Sequence, residues 1–320
     1  MPKRKESHPS AGDESDASSS DVSLIDVSFD FFDPNPRVDY HAIKRLLAQL
    51  FQRDAELFHL HDLVELVLAQ PTVGTTVKTD GLESDPYALL TVLNMHVHQA
   101  HPSISALAHY ALEKASSDAA FHSTLQQLFK QPETHVGLVL SERLVNMPVQ
   151  VVPPMYAMLE REVGWALADN EPYRFTHYLI LTRTYRLSPD EESALANSAP
   201  VSSKKAKKTK KARSGGDPSM SVGSMGMDVD VDMDGTGASA DGRAADGVYP
   251  FHPEDAVIRA AAQHSIDYRF SKSAEKDEPR AKDAFGLDTR GRMMLVSADR
   301  WPVLVQRLGE LYAVLEGAGR

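Results

Sequence analysis

Apolar residues recur in YHAIKRLLAQLF at Ile43, Leu46, Leu47, Leu50 and Phe51, the spacing of one helical face. LHDLVELVLAQP repeats that period and is expected to stop at Pro71, because proline cannot continue a helical ladder. Ahead of both, VSLIDVSFDFF (22–32) alternates apolar and polar positions as a strand does, and DPNPR supplies a turn and a helix start. TTVKTD reads as a short strand and YALLTVLNMHV as a longer buried one, with KTDGLESDPYALL (78–90) spanning their connection. Helices are predicted over 104–115 and 119–129. HVGLVLSERLVNM begins as a strand that should turn near Ser141, Pro153 and Pro154 precede a helix in MYAMLEREVGWAL, and FTHYLILTRTYRL (175–187) alternates like a strand.

Two stretches lack any apolar period. Residues 1–21 are mostly Ser, Asp, Glu and Lys and cannot offset the entropy of ordering, so a disordered tail is expected. Residues 190–247 change abruptly to Ser, Lys, Gly, Asp and Met and read as a disordered insertion. The remaining segment, 248–320, offers two helices and two strands, which is thin for an independent core. It is expected to complete the sheet begun in 22–189, giving one α/β domain with a central mixed sheet flanked by helices.

Composition narrows the chemistry. The 320 residues include no cysteine, which removes disulfides, thiolate metal sites and cysteine nucleophiles. No window is long and apolar enough to predict a membrane span, and the basic N-terminal residues are not followed by the apolar core of a secretory signal. Of the formal charge of −11, residues 1–21 contribute −2 and residues 196–247 contribute +1, leaving −10 for the rest. Such a body is repelled by nucleic-acid phosphate and attracts basic proteins.

Most apparent catalytic motifs fail on context. DVDVDMDGTGASAD places Asp230, Asp232, Asp234, Gly235 and Asp241 at calcium-loop positions, but flanking helices are missing and Gly237 stands where an apolar residue is needed. REVGWA (161–166) has the form of an acetyltransferase pyrophosphate loop, yet its glycine falls inside a predicted helix, where its amide is already engaged. HVHQAH would put His96 and His98 on one strand face without a nameable third zinc ligand, and His61 and Asp62 in LHDL suggest a site less still. Ser141 follows an apolar strand but lacks the glycines of a nucleophile elbow. No catalytic residue, cofactor site or metal site is therefore assigned. KKAKKTKKAR, with Lys204, Lys205, Lys207, Lys208, Lys210, Lys211 and Arg213, is a dense basic run of the kind that nuclear-import receptors grip.

Asp80, Glu83 and Asp85 crowd around Gly81 and Pro86. Glycine at positive φ, an aspartate bonding backbone and a proline biasing its predecessor toward extended geometry together read as a structured acidic turn. Contact with a basic partner is the functional alternative, ahead of catalysis.

Four strings, VSFDFFDPNPRVDYHAIKRLLAQLF, KTDGLESDPYALL, LVLSERLVNMPVQVVPPMY and YPFHPEDAVI, resemble the BCCIP/Bcp family of eukaryotic nuclear proteins. The family patterns sit at 30–34, 78–87, 141–148 and 250–253, and the resemblance covers nearly everything outside the tail and the insertion. It implies an acetyltransferase-like (GNAT-like) fold without known acetyl transfer. It also implies a chaperone for a basic large-subunit ribosomal protein, the universal L-fourteen protein, with a role in ribosome assembly. Nuclear export is implied too, with a lipid kinase among the cargo, and with effects on actin organisation and vesicular transport. On this basis Asp80, Glu83, Asp85 and Glu142 are candidate partner contacts. Import and export receptors are further expected partners, with location in the nucleus and shuttling to the cytoplasm. Direct nucleic-acid or membrane contact is not expected. The rival readings are a DNA-repair and cell-cycle adaptor, as the human member's naming for a breast-cancer susceptibility protein and a Cdk inhibitor implies, and an acetyl-CoA-dependent transferase.

Overall fold

The computed structural model describes residues 28–187, 191, 247–271 and 288–312. The expected N-terminal tail and import run lie outside them, as do the calcium-like tract and nearly all of the insertion. Among the described residues eight strands form one sheet: β1 (Asp30–Phe32), β2 (Thr75–Lys78), β3 (Ala88–Asn94), β4 (His135–Arg143), β5 (Phe175–Arg186), β6 (Val248–Pro250), β7 (His264–Tyr268) and β8 (Asp288–Ser297). Their order is β1-β2-β3-β4-β5-β8-β7, with β6 paired to β5 off that path. Every neighbouring pair is antiparallel except β4 and β5, which makes the sheet mixed.

Side chains on successive strand residues point to opposite faces, so one sheet feeds two cores. Leu138, Leu140, Leu179, Leu181, Met293 and Leu295 pack beneath α1 (Tyr40–Phe51), α2 (Leu60–Leu68), α3 (Pro102–Ala115) and α4 (Ala119–Lys130). Val139, Ile180, Met294 and Val296 face α5 (Val152–Ala168), α6 (Glu254–Ala261) and α7 (Trp301–Tyr312). The apolar positions predicted for α1, including Ile43, Leu46, Leu47 and Leu50, are all buried. Asp118 caps α4 by accepting the Phe121 amide at 3.0 Å, and Pro153 and Pro154 sit in the first turn of α5, where their missing N–H groups cost no ladder bond.

Several expected boundaries move. Of the strand expected over 22–32, Asp30–Phe32 is strand and 28–29 are not, while residues 22–27 lie outside the described residues. The YALLTVLNMHV strand ends at Asn94, whose Oδ1 accepts the amides of His96 and Val97 and turns the chain. β4 does not turn at Ser141 but continues to Arg143, because β3 pairs with it as far as Ala88 opposite Arg143. β5, expected over 175–187, is a central strand covered on both faces, and even Thr182, Arg183 and Thr184 are buried. The described residues of the C-terminal part include three strands, one more than expected, and β8 pairs with β5 over ten residues, from His177 opposite Ser297 to Arg186 opposite Asp288. Among the described residues no helix is long and apolar enough to cross a membrane.

Candidate functional site

The connection between β2 and β3 brings Asp80, Glu83 and Asp85 to the surface together. Gly81 takes φ +83°, a conformation that side chains resist, and a Cβ there would meet no atom within 4 Å, so backbone rather than crowding selects glycine. Ser84 closes the turn, its amide and hydroxyl donating to Gly81 O at 3.2 and 2.8 Å. The turn is fastened from below by Lys78. Its fully buried ammonium donates to Asp39 Oδ1 at 2.6 Å and to the Leu82 carbonyl at 2.7 Å. Asp39 in turn accepts the Asn35 amide at 2.8 Å, so the DPNPRVDY segment and the acidic turn share one buried ion pair. Above this anchor Asp85 meets Arg45 of α1 at 2.5 Å with both side chains largely exposed, and Leu82 stands 47 % exposed between the carboxylates. The three carboxylates do not converge, so the arrangement is not that of an acid–base pair.

Glu142, expected beside them as a partner contact, is placed elsewhere. It is 2 % exposed and enclosed by its own chain, so in this conformation no partner can reach it. The reason lies in sheet topology. β4 and β5 keep parallel register only from His135 opposite Phe175 to Val139 opposite Ile180; beyond that, β6 takes the vacated edge of β5, with Thr184 opposite Pro250. Charged and hydroxyl side chains fill the opening. Arg183 forks onto Glu142 with Nε to Oε2 at 2.9 Å and Nη2 to Oε1 at 3.0 Å, and His252 Nε2 lies 2.8 Å from the same Oε1. Gln49 of α1 adds a donor at 3.1 Å. On the opposite face Arg143 donates from Nε and Nη2 to both Glu254 oxygens at 2.9 Å and from Nη1 to the Met147 carbonyl at 2.7 Å.

Burial would raise the Glu142 carboxyl pKa, but hydrogen bonds from His252 and Arg183 and the guanidinium charge outweigh it, and the group is held below the usual range. Asp255, beside this network and fully enclosed, goes the other way: burial first, then the neighbouring Glu254 charge, push it well above the ordinary carboxylate range. His252 Nδ1 and Thr184 Oγ1 are buried without a hydrogen-bond partner among the described residues, while Asp255 and Tyr156 lie against the Thr182 and Ser141 hydroxyls. Sequence reading missed this network, although a signal existed. Both β4 and β5 pass from apolar runs to charged and hydroxyl residues at their C-terminal ends, and FHPED carries three titratable groups.

The remaining candidates separate cleanly. Ser141 is half-buried in mid-strand opposite Leu90, not on an elbow. Gly164 of REVGWA lies deep inside α5, as expected, where backbone amides are committed to the helical ladder. His96 and His98 lie beyond the end of β3, not on a strand face. His96 Nε2 is 2.9 Å from the Leu128 carbonyl, its Nδ1 accepts the Val136 amide at 3.2 Å, and burial lowers its pKa, the mark of a neutral structural imidazole. Among the described residues one group of three could converge on a metal ion, and it is His61, Asp62 and Glu65 on α2.

With this geometry in place, comparison with known proteins is informative. The BCCIP family profile matches residues 24–258. Protein bcp1 of Emericella nidulans is 39% identical over 306 residues, covering 94% of this chain and 92% of the relative. Protein bcp1 of Schizosaccharomyces pombe is 38% identical over 296 residues, covering 92% of each. The crystal structure of BCP1 from Saccharomyces cerevisiae superposes with a TM-score of 0.57 at 23% identity, covering 92% of this chain and 93% of that one, which supports the fold.

Proposed function

The chain belongs to the BCCIP family, and from that premise we propose that it is a non-enzymatic nuclear escort for a basic large-subunit ribosomal protein, the universal L-fourteen protein. In this reading the acidic body shields the basic cargo from RNA, supports ribosome assembly and travels between nucleus and cytoplasm through import and export receptors. Its family links to lipid-kinase export, actin organisation and vesicular transport belong to the same proposal. The observation that carries it is the exposed, anchored turn with Asp80, Glu83 and Asp85, on a body whose charge outside residues 1–21 and 196–247 is −10. Charged groups at the rim of an interface speed encounter, and the exposed Leu82 among them supplies apolar contact. The basic run that would serve import, Lys204 to Arg213 in sequence, lies outside the described residues.

An acetyltransferase-like ancestry of the sheet is part of this reading, supported by the parallel β4–β5 pair that diverges. The transferase alternative is disfavoured by what fills that divergence: β6 lines β5, and His252, Glu254 and Asp255 occupy the opening. Titration with acetyl-CoA in a calorimeter should give no heat of binding, and saturable micromolar heat would revive the enzyme. Co-expression with the cognate L-fourteen protein, followed by size-exclusion chromatography, tests the escort reading. A soluble one-to-one complex supports it, whereas precipitation of the ribosomal protein beside an unshifted chain refutes it and moves the repair-adaptor reading forward.

A further inference from the structure

We propose that β6 and α6 form a strap across the β4–β5 divergence that is released from the sheet when Asp255 gives up its proton. Around this opening each arginine is engaged by a carboxylate of its own: Arg183 forks onto Glu142, Arg143 onto Glu254, and Arg292 of β8 onto Asp267 of β7 at 2.6 and 2.9 Å. Asp255 is the fourth carboxylate. It is buried, its hydrogen-bond contact is the neutral Thr182 hydroxyl of β5, and among the described residues no cation bonds to it. Beside three closed ion pairs a fourth negative charge has nothing to balance it, so the closed form holds Asp255 as the neutral acid.

The other groups that face Asp255 point the same way. Glu254 on its own helix and Glu142 of β4 repel its charged form, while Arg292 attracts it but is already held by Asp267. Tyr156 of α5 and Tyr312 of α7 face it as phenols whose own pKa values are raised, and they bring no positive charge. His252, on the strap itself, is turned to Glu142, with Nε2 2.8 Å from Oε1.

The strap is less firmly held by apolar contact than the strand on the other side of β5. Its buried apolar side chains are Val248, Val257 and Ile258, and β6 pairs with β5 over three residues. β8 buries Met293, Met294, Leu295 and Val296 in succession and pairs with β5 over ten. Much of what remains is polar: the Glu254 and His252 bonds to β4, the Arg183 guanidinium over the Phe251 ring at 4.5 Å, and the Tyr312 hydroxyl donating to the Pro253 carbonyl at 3.1 Å. With the strap closed, His252 Nδ1 and Thr184 Oγ1 find no partner among the described residues, and water would satisfy both on release. Ala262 is extended at φ −71°, ψ 141°, and Gln263 then donates to the Leu295 carbonyl at 2.8 Å, which places the pivot at 262–263.

The sign follows from linkage. Burial and Glu254 raise the pKa of Asp255 in the closed form, and on release the group meets water and ionises at the ordinary carboxylate value. Opening therefore becomes more favourable by up to about 10-fold per pH unit as pH rises from that ordinary value toward the raised one, and levels off above it. Release uncovers Glu142 and Arg183, which the closed form keeps from any partner.

Hydrogen exchange of the full chain, read amide by amide and corrected for intrinsic exchange from about pH 5 to about pH 8, is the test. The Phe251 amide donates to the Arg183 carbonyl at 3.1 Å and reports β6 leaving β5. Its protection should be at least about 10-fold below that of Met293–Val296 and should fall as pH rises. Asp255→Asn cannot ionise and should flatten that fall; Asp255→Leu makes the same test if the asparagine variant does not fold. A pH dependence that survives in the folded variant assigns the proton to another group, His252 included, and overturns the proposal. Protection at Phe251 equal to that of β8 across the range means that the strap opens only with the whole fold, and overturns it as well.

Discussion

The acidic turn and the β4–β5 divergence use the same side chains to opposite ends. Asp85 and Arg45 meet at 2.5 Å in water, with 57% and 66% of their side-chain surface exposed, while Glu142 and Arg183 meet at 2.9 Å with 1% and 4% exposed. Similar separation conceals a difference in energy, because solvent screens the first pair and is excluded from the second. An exposed pair is available to a partner and contributes little to folding. An enclosed pair has no route to a partner, and either member left alone would be a buried, uncompensated charge. The comparison teaches that carboxylate content marks a binding surface only after burial is known.

The largest expected effect breaks the enclosed side of that contrast. Glu142→Ala strands Arg183 and removes the Nε2 partner of His252, and should lower stability by about 3–5 kcal/mol in urea unfolding. A loss below about 1 kcal/mol would mean that water reaches the opening. Next in size is a stabilising change. Asp255 has a folded-state pKa raised by burial and by Glu254, so its protonated form is the one the fold prefers. Its contribution is fully present below the unfolded pKa and is lost as pH rises through the folded one. Asp255→Asn should therefore be more stable than the unaltered chain at neutral pH, with the gap closing on acidification. Parallel stability–pH curves would contradict this. Glu142 carries the opposite sign, since its lowered carboxyl supports the fold above the unfolded pKa and ceases to as pH falls through the folded one. The smallest effect belongs to the exposed pair: Arg45→Ala should cost less than about 1 kcal/mol in the same assay.

The same contrast explains what could be read from sequence. α1 was legible because Ile43, Leu46, Leu47 and Leu50 repeat at the helical period and all turn inward. The acidic turn was legible because glycine at positive φ and a proline after an aspartate are local signals that no distant contact has to supply. Glu142 was misplaced because its surroundings come from Gln49, Arg183 and His252, scattered over the chain and joined only where β4 leaves β5. The turn expected near Ser141 fails for a related reason: pairing with Leu90 in β3 carries the strand past it to Arg143. β5 reads as alternating, yet helices on both faces bury it from Tyr178 to Thr184, and a period of two cannot reveal a second covering layer.

The central claim, that the anchored turn is a contact surface for a basic partner while the enclosed network serves the fold, is tested most directly by association kinetics. The unaltered chain and an Asp80→Lys, Glu83→Lys, Asp85→Lys variant would each be mixed with the L-fourteen protein across a range of salt concentrations. The account predicts unfolding midpoints that agree within the effect of ordinary surface substitutions, about 0.5 kcal/mol, together with slower association and a shallower salt dependence in the variant. Equal association rates and equal salt slopes would contradict it and remove the turn from the interface.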